Sequence, residues 1–315
     1  MTQNLPSPQN PLNIGTRGSP LALAQAYETR ARLAAAFDLP EEAFEIIVIK
    51  TTGDKIQDRP LKEIGGKGLF TREIEDDMIS GRIDIAVHSM KDMPTLQPEG
   101  LILETYLPRE DVRDAFISPN YAGLPDLPKG AKVGTSSLRR HAQLKVVRPD
   151  LEVVEFRGNV QTRLRKLSEG VASCTFLAMA GLNRLNMAEV PATAIEVEDM
   201  LPAVAQGAIG IERRVGDTRI ADMLAAIHHE KTGQRLLAER AFLAALDGSC
   251  ETPIAGLAEL DGGNLRLRGE VLRPDGSERL TDDATCAIED GADMGREMAA
   301  RLLARAGDGF FDWRN

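Results

Sequence analysis

Arginine is the residue type in this chain with the most chemistry to offer, at Arg17, Arg139, Arg140, Arg157, Arg163 and Arg184. A guanidinium grips a planar oxyanion through two parallel hydrogen bonds, which a point-charge ammonium cannot do. A set of them suits a ligand that carries several carboxylates or phosphates. Between Arg139 and Lys166 the chain places eight basic residues, Arg139, Arg140, Lys145, Arg148, Arg157, Arg163, Arg165 and Lys166, against Asp150, Glu152 and Glu155. The protein as a whole is acidic, with a formal net charge of −10 over 315 residues. That sign argues against a coat for nucleic acid, and Phe156, the lone aromatic of the basic window, is no stacking surface for single strands. A solvated helix face accounts for Arg165 and Lys166. It fits Arg157 less well, because that residue lies between a strand and the turn-like Gly158-Asn159.

Other groups add to this. Asp84 to Thr95 reads as a buried strand that runs into a polar turn, and side chains at that end of a strand in an α/β fold point toward the ligand crevice. Asp92, beside Lys91, is a candidate for proton transfer or for steadying a developing cation; an Asp-x-Pro turn is the plainer reading. His88 reads as a hydrogen-bonded core histidine. Lys67, in Gly65-Gly66-Lys67-Gly68, lies on a glycine loop without Walker spacing, either a flap over a cleft or a surface turn. The cysteines are odd in number and far apart, which excludes a disulfide framework. Cys174 and Cys286 read as small core residues, while Cys250, on the loop Gly248-Ser249-Cys250, is the thiol that exposure favours as a nucleophile. The histidines show no HExxH or HxH spacing, so no metal is expected.

The elements that must position these groups follow a βα texture. Short apolar runs at 44–51, 83–89, 101–107, 114–118, 151–156 and 174–179 have strand length, and helical spacing runs through 21–37, 69–80, 137–147 and 160–168. The alternation predicts an α/β sheet with parallel pairs. Gly15-Thr16-Arg17-Gly18-Ser19-Pro20 and Gly134-Thr135-Ser136-Ser137-Leu138 echo one another as strand end, turn, serine cap and helix. Two similar lobes would each present a helix N-terminus to an anion; two unrelated capped helices fit the echo equally well. From about residue 230 the texture becomes α+β: a helix at 231–246, strands at 254–260, 265–272 and 284–289 with turns at Gly262-Gly263 and Asp275-Gly276, and a closing helix at 291–306. A length of 315 residues predicts two or three domains. No apolar run reaches the roughly 18 residues of a membrane span, and the start has no leader pattern, so a cytoplasmic protein is expected.

Taken in order, Thr16-Arg17-Gly18-Ser19-Pro20-Leu21-Ala22-Leu23, Gly65-Gly66-Lys67-Gly68-Leu69-Phe70, Ala86-Val87-His88-Ser89-Met90-Lys91-Asp92, Val133-Gly134-Thr135-Ser136-Ser137-Leu138-Arg139-Arg140, Arg157-Gly158-Asn159, Leu201-Pro202-Ala203-Val204-Ala205-Gln206-Gly207 and Gly248-Ser249-Cys250 resemble the porphobilinogen deaminase (hydroxymethylbilane synthase) family. The resemblance runs from about Leu12 to the last helix. It implies an α/β fold of two lobes like those of type II periplasmic binding proteins, 12–108 with 203–226 and 109–202, plus a C-terminal α+β domain, 227–315, with the cofactor-attachment loop. It implies a transferase of porphyrin, tetrapyrrole and heme biosynthesis. Four porphobilinogen molecules would be condensed head to tail, with loss of ammonia, into hydroxymethylbilane, on a dipyrromethane cofactor thioether-linked to Cys250.

Residue by residue, the resemblance implies Asp92 as the catalytic acid, with Arg17 facing the reacting pyrrole. Cofactor contacts would come from Lys67, Asp92, Ser137, Arg139, Arg140, Arg157 and Gly158, and substrate contacts from Arg17, Ser19, Gln25, Arg157, Arg163 and Arg184. Porphobilinogen and linear polypyrrole intermediates are the expected partners, with no metal, nucleic acid or membrane, and a monomer is expected. The chain departs from the family pattern at Lys62-Glu63, where many members carry a lysine just before Ile64, and at Ser173-Cys174-Thr175, where an acidic residue is replaced. The rival from another class is a non-catalytic two-lobe protein that captures small anions; it would have no use for Asp92 or for a thioether on Cys250.

Overall fold

The computed structural model describes residues 5–55, 71–248, 252–307 and 309–314. Glu63, Lys67 and Cys250 lie outside the described residues. The chain opens with β1 (Leu12–Arg17), α1 (Pro20–Phe37), β2 (Phe44–Ile49), α2 (Thr52–Lys55), α3 (Arg72–Ile79), β3 (Ile85–Ser89) and β4 (Leu101–Tyr106). It continues through β5 (Asp114–Ile117), β6 (Lys132–Gly134), α4 (Leu138–Val147), β7 (Glu152–Val154), α5 (Val160–Ser168), β8 (Cys174–Ala178), α6 (Met179–Arg184) and β9 (Ala192–Ala194). The last third holds β10 (Ile209–Arg214), α7 (Thr218–Ala225), α8 (Glu230–Ala245), β11 (Ile254–Asp261), β12 (Asn264–Leu272), β13 (Arg279–Ala287) and α9 (Gly291–Arg305). Two compact units emerge, 1–109 with 208–233 and 110–207 with 234–315. The residues expected in a third domain, from 234 onward, thus share the second unit.

In the first unit the strand order is β2-β1-β3-β10-β4. β1 runs parallel to both neighbours, and β10, entering from the returning chain, is antiparallel to β3 and β4. Helix α1 starts where Ser19 accepts a hydrogen bond from Ala22 N and Pro20 takes the first helical position; it stops at Asp38, whose φ is 52°. Its buried side packs with Ile14, Phe44, Ile85 and Ile211 in one apolar cluster. Covered on both faces, the sheet holds its strands by apolar burial.

The first lobe of the second unit repeats the plan, in the order β7-β6-β8-β5-β9. Here β6 is parallel to β7 and β8, and β5 is the antiparallel insert beside β8. The echo in the sequence is therefore a repeat in topology. The glycine of each Gly-Thr pair lies under a side chain packed across the sheet: an added Cβ would come within 2.3 Å of Ile83 Cδ1 at Gly15 and 2.5 Å of Phe156 Cγ at Gly134. The remaining strands, β11-β12-β13, form an antiparallel meander with α9 packed on β12 and β13. β13 begins at Arg279 rather than near residue 284, because its burial alternates along an outer strand and its first half, with Thr281, Asp282 and Asp283, carries no apolar signal.

Gly207 closes the second unit's return segment with φ of 84°, and an added Cβ there would meet Glu110 O at 2.6 Å. Its carbonyl also accepts a hydrogen bond from Glu110 N at 3.1 Å. Gly207→Ala combines a left-handed backbone with a collision against main chain, and should cost about 1–3 kcal/mol, read as a lower urea midpoint. Gly216→Ala, where an added Cβ meets nothing within 4 Å, is the matched control and should leave the midpoint in place.

Candidate active site

The first unit contains a pocket of about 90 Å³ lined by Arg17, Ser19, Gln25, His88, Ser89 and Asp92, among others. Local structure explains why they meet. Arg17 is the last residue of β1 and Ser19 the cap of α1, both at the end of the parallel strands where helix N-termini collect. β3 ends at Ser89 and passes into a single 3₁₀ turn, Met90 to Asp92, closed by Met93 N donating to Met90 O at 3.2 Å. Met90 and Met93 are buried on either side, so exposed Asp92 sits on a turn pinned by two apolar anchors.

Gln25 is only 3% exposed. Its Nε2 donates to Ser89 Oγ at 2.8 Å, and Ser89 Oγ donates back to Gln25 Oε1 at 3.0 Å. The expected substrate contact Gln25 thus holds Ser89 in place at the pocket wall. His88 is a core histidine, as expected from its strand, with Nε2 at 3.1 Å from Glu212 Oε2. Behind it, burial and the nearby Glu212 charge push the Glu75 carboxyl above its usual range.

The second unit carries the other basic residues. Ser137 is the cap of α4, accepting from Arg140 N at 3.4 Å, whereas Ser136 Oγ accepts from Phe156 N at 3.0 Å. Arg139 and Arg140 are each 4% exposed, and both turn to Asp114, which is fully buried. Arg139 Nη1 donates to Asp114 Oδ2 at 2.7 Å and Arg140 Nη2 to Asp114 Oδ1 at 2.7 Å. Arg140 Nη1 also donates to Phe176 O at 2.9 Å, and Gln206 Nε2 to Asp114 Oδ1 at 2.9 Å. Burial alone would raise the Asp114 carboxyl; the charges and hydrogen bonds of Arg139 and Arg140 outweigh it and hold that carboxyl well below the usual carboxylate range. Two guanidiniums share this one carboxylate, and Arg139 Nε is buried without a hydrogen-bond partner.

Gly158, with φ of 122°, and Asn159, the cap of α5, form the turn that carries Arg157 and Arg163. Arg163 Nε donates to Gly158 O at 2.9 Å, and Arg184, at the end of α6, donates from Nη2 to Gly207 O at 2.9 Å. All three arginines are half-buried. Of the two basic residues expected on a solvated face, Arg165 is exposed and pairs with Glu169, whereas Lys166 is half-buried, its Nζ donating to Arg157 O at 3.0 Å across the turn.

The structure therefore gathers Arg17, Ser19, Gln25 and Asp92 in one pocket, and Ser137, Arg139 and Arg140 at one helix start. Asp114, Gln206 and Gln143 belong to the second group and were not among the expected site residues. Asp114 had a signal: an acid at the head of a strand that is otherwise apolar and wholly buried. Of the cysteines, Cys174 is fully buried and its thiol is pushed up to about 12 by burial. Cys286, expected in the core, is half-buried: it lies on the less exposed side of the outer strand β13, with Leu280 and Ala284, and that side is only partly covered.

Comparison with known proteins bears on what this arrangement serves. The family model "Porphobilinogen deaminase, dipyromethane cofactor binding domain" matches residues 12–222, and "Porphobilinogen deaminase, C-terminal domain" matches 234–304. A porphobilinogen deaminase of Paracoccus denitrificans (strain Pd 1222) is 66% identical over 313 residues, covering 99% of this chain and 100% of that one. Among solved structures, the VFT2 domain of Bordetella pertussis BvgS is 14% identical with a TM-score of 0.41, covering 73% of this chain and 92% of that one. A periplasmic substrate-binding protein of an ABC transporter from Coxiella burnetii is 13% identical with a TM-score of 0.41, covering 70% and 93%. These two structural likenesses add no weight. The family models and the near full-length relative do: the chain belongs to the porphobilinogen deaminase family.

Proposed function

We propose that this protein joins four porphobilinogen molecules head to tail, with loss of ammonia, to give hydroxymethylbilane, on a dipyrromethane group attached through the Cys250 sulfur. The observation that carries this reading is the first-lobe pocket, where an exposed carboxylate, Asp92, shares a wall with Arg17 and the serine-capped start of α1. A carboxylate there can hydrogen-bond pyrrole N–H groups and steady the positive charge that develops as ammonia departs. Arg17 and the α1 N-terminus then take the acetate and propionate of the incoming ring. Gln25 contributes indirectly, by fixing Ser89.

The second lobe fits a dipyrromethane, which is itself a polycarboxylate. Arg139 and Arg140 bring two positive charges to one Asp114 carboxylate, Arg139 Nε lacks an acceptor, and Ser137 caps an adjacent helix start. When bound, the group supplies a tethered primer with a nucleophilic pyrrole carbon. In this reading Ser137, Arg139, Arg140, Arg157 and Gly158, with Lys67, hold its carboxylates, and Arg163 and Arg184 with Arg157 hold those of added units. Each charge-assisted hydrogen bond contributes about 1.5–3 kcal/mol, so loss of one arginine stalls a step before it unfolds the lobe. The protein acts as a cytoplasmic monomer of three domains, two lobes and a C-terminal cofactor carrier; among the described residues no helix is long and apolar enough to cross a membrane.

A non-catalytic anion-binding role is not favoured, since the family match spans both lobes and the C-terminal domain. Intact mass tests the proposal. Protein isolated whole should exceed its sequence mass by two condensed pyrrole units, Cys250→Ala should lose that excess, and incubation with porphobilinogen should yield hydroxymethylbilane. Active wild-type protein at bare sequence mass would overturn it.

A further inference from the structure

Strand β12 alternates as a half-covered strand should. Leu265, Leu267, Gly269 and Val271 face the C-terminal core, where Gly269 lies against Phe242 and Met298. Arg266, Arg268 and Glu270 lie on the opposite face, which is solvated at Arg266 but leaves Glu270 only 1% exposed. What covers Glu270 is helix α4, the helix that carries Arg139 and Arg140. Gln143, one turn along from Arg139, joins the two: its Nε2 donates to Glu270 Oε2 at 3.2 Å and to Leu201 O at 2.9 Å. Its Oε1 accepts from Arg139 Nη1 at 3.0 Å. On the far side, Arg279 Nε of β13 stands 2.9 Å from Glu270 Oε1.

A continuous chain therefore runs from Asp114 through Arg139 and Gln143 to Glu270, all buried, and ends at exposed Arg279. Burying a carboxylate where an apolar side chain would pack is costly, and a hydrogen-bonded buried chain restricts its members to few arrangements. Glu270 also acts on Arg139 directly, as a negative charge that favours the guanidinium.

We infer that Glu270, acting through Gln143, is a positioning residue for Arg139. The C-terminal domain thereby orients the guanidinium assigned above to a cofactor carboxylate, and the inference rests on that assignment. Full-length wild type, Gln143→Leu, Glu270→Leu and Glu270→Gln would each be supplied with porphobilinogen. Readouts are the melting midpoint, the mass-resolved fraction carrying the dipyrromethane, the distribution over enzyme-bound intermediates, and kcat.

Gln143→Leu and Glu270→Leu should lower the loaded fraction, pile up early intermediates and reduce kcat by about 10- to 100-fold, the scale of a misplaced binding group. Glu270→Gln, which keeps an acceptor for Gln143, should recover most of the loaded fraction. If Glu270→Leu does not fold, the other two variants decide. Wild-type loading and step distribution in Gln143→Leu, with only the melting midpoint lowered, would overturn the inference. Absence of excess mass and product in the wild type would instead overturn the proposed function.

Discussion

Asp92→Asn should melt with the wild type and yet lose most of its turnover. The side chain is exposed and stands on a turn anchored by Met90 and Met93, so its exchange for a neutral isostere disturbs no packing. Activity is another matter. A preorganised charge commonly contributes about 3–4 kcal/mol to a transition state, and general acid–base help about 10²- to 10⁴-fold in rate. A loss of 10²-fold or more in hydroxymethylbilane formation is therefore expected. A rate within about tenfold of wild type, equivalent to less than about 1.4 kcal/mol, would remove Asp92 from the chemistry.

Asp114→Asn should show the opposite balance, a large loss of stability. The substitution leaves Arg139 and Arg140, both buried, without their shared counter-charge, and removing one partner from a buried ion pair costs about 3–5 kcal/mol. Urea denaturation should show a clear fall in midpoint, along with a lower fraction of cofactor-loaded protein. The same carboxyl predicts a pH dependence. Its folded-state pKa is depressed below the ordinary 3.8, so the stability it contributes is fully present above that value. That stability is lost as pH falls below 3.8 toward the depressed folded value, where the folded state also takes up the proton. Wild type should lose stability through this range, and Asp114→Asn should lack that component of the loss. Parallel acid profiles for the two proteins would refute it.

What the sequence revealed depended on how each element is exposed. Strands with mainly apolar runs, β2, β3, β4 and β8, were legible from composition. β10 was not, since Glu212, Arg213 and Arg214 break its pattern although it lies in mid-sheet, where Glu212 is buried against His88. β6 and β9 are three residues each, too short for any period to register. The Gly-Thr echo was visible but open to two readings until the matching strand orders resolved it. At the site, motif matching brought out Asp92, Arg17 and the arginines. Local sequence could not show that Arg139 and Arg140 face inward: their partners Asp114, Phe176 and Leu201 lie 25 to 62 positions away, and only the tertiary fold joins them. A lone glutamate on the polar face of β12 looks solvent-facing in any alternation, and becomes buried only because α4 lies over it.

The burial of Cys174 has a consequence for chemoselectivity. With its thiol pushed up to about 12 by burial, Cys174 offers little of the reactive anion at neutral pH, and Cys286 is also shifted upward, by burial and by Asp290, Glu289 and Glu297. Electrophilic pyrrole fragments therefore meet, at Cys174 and Cys286, thiols held toward their less reactive protonated form.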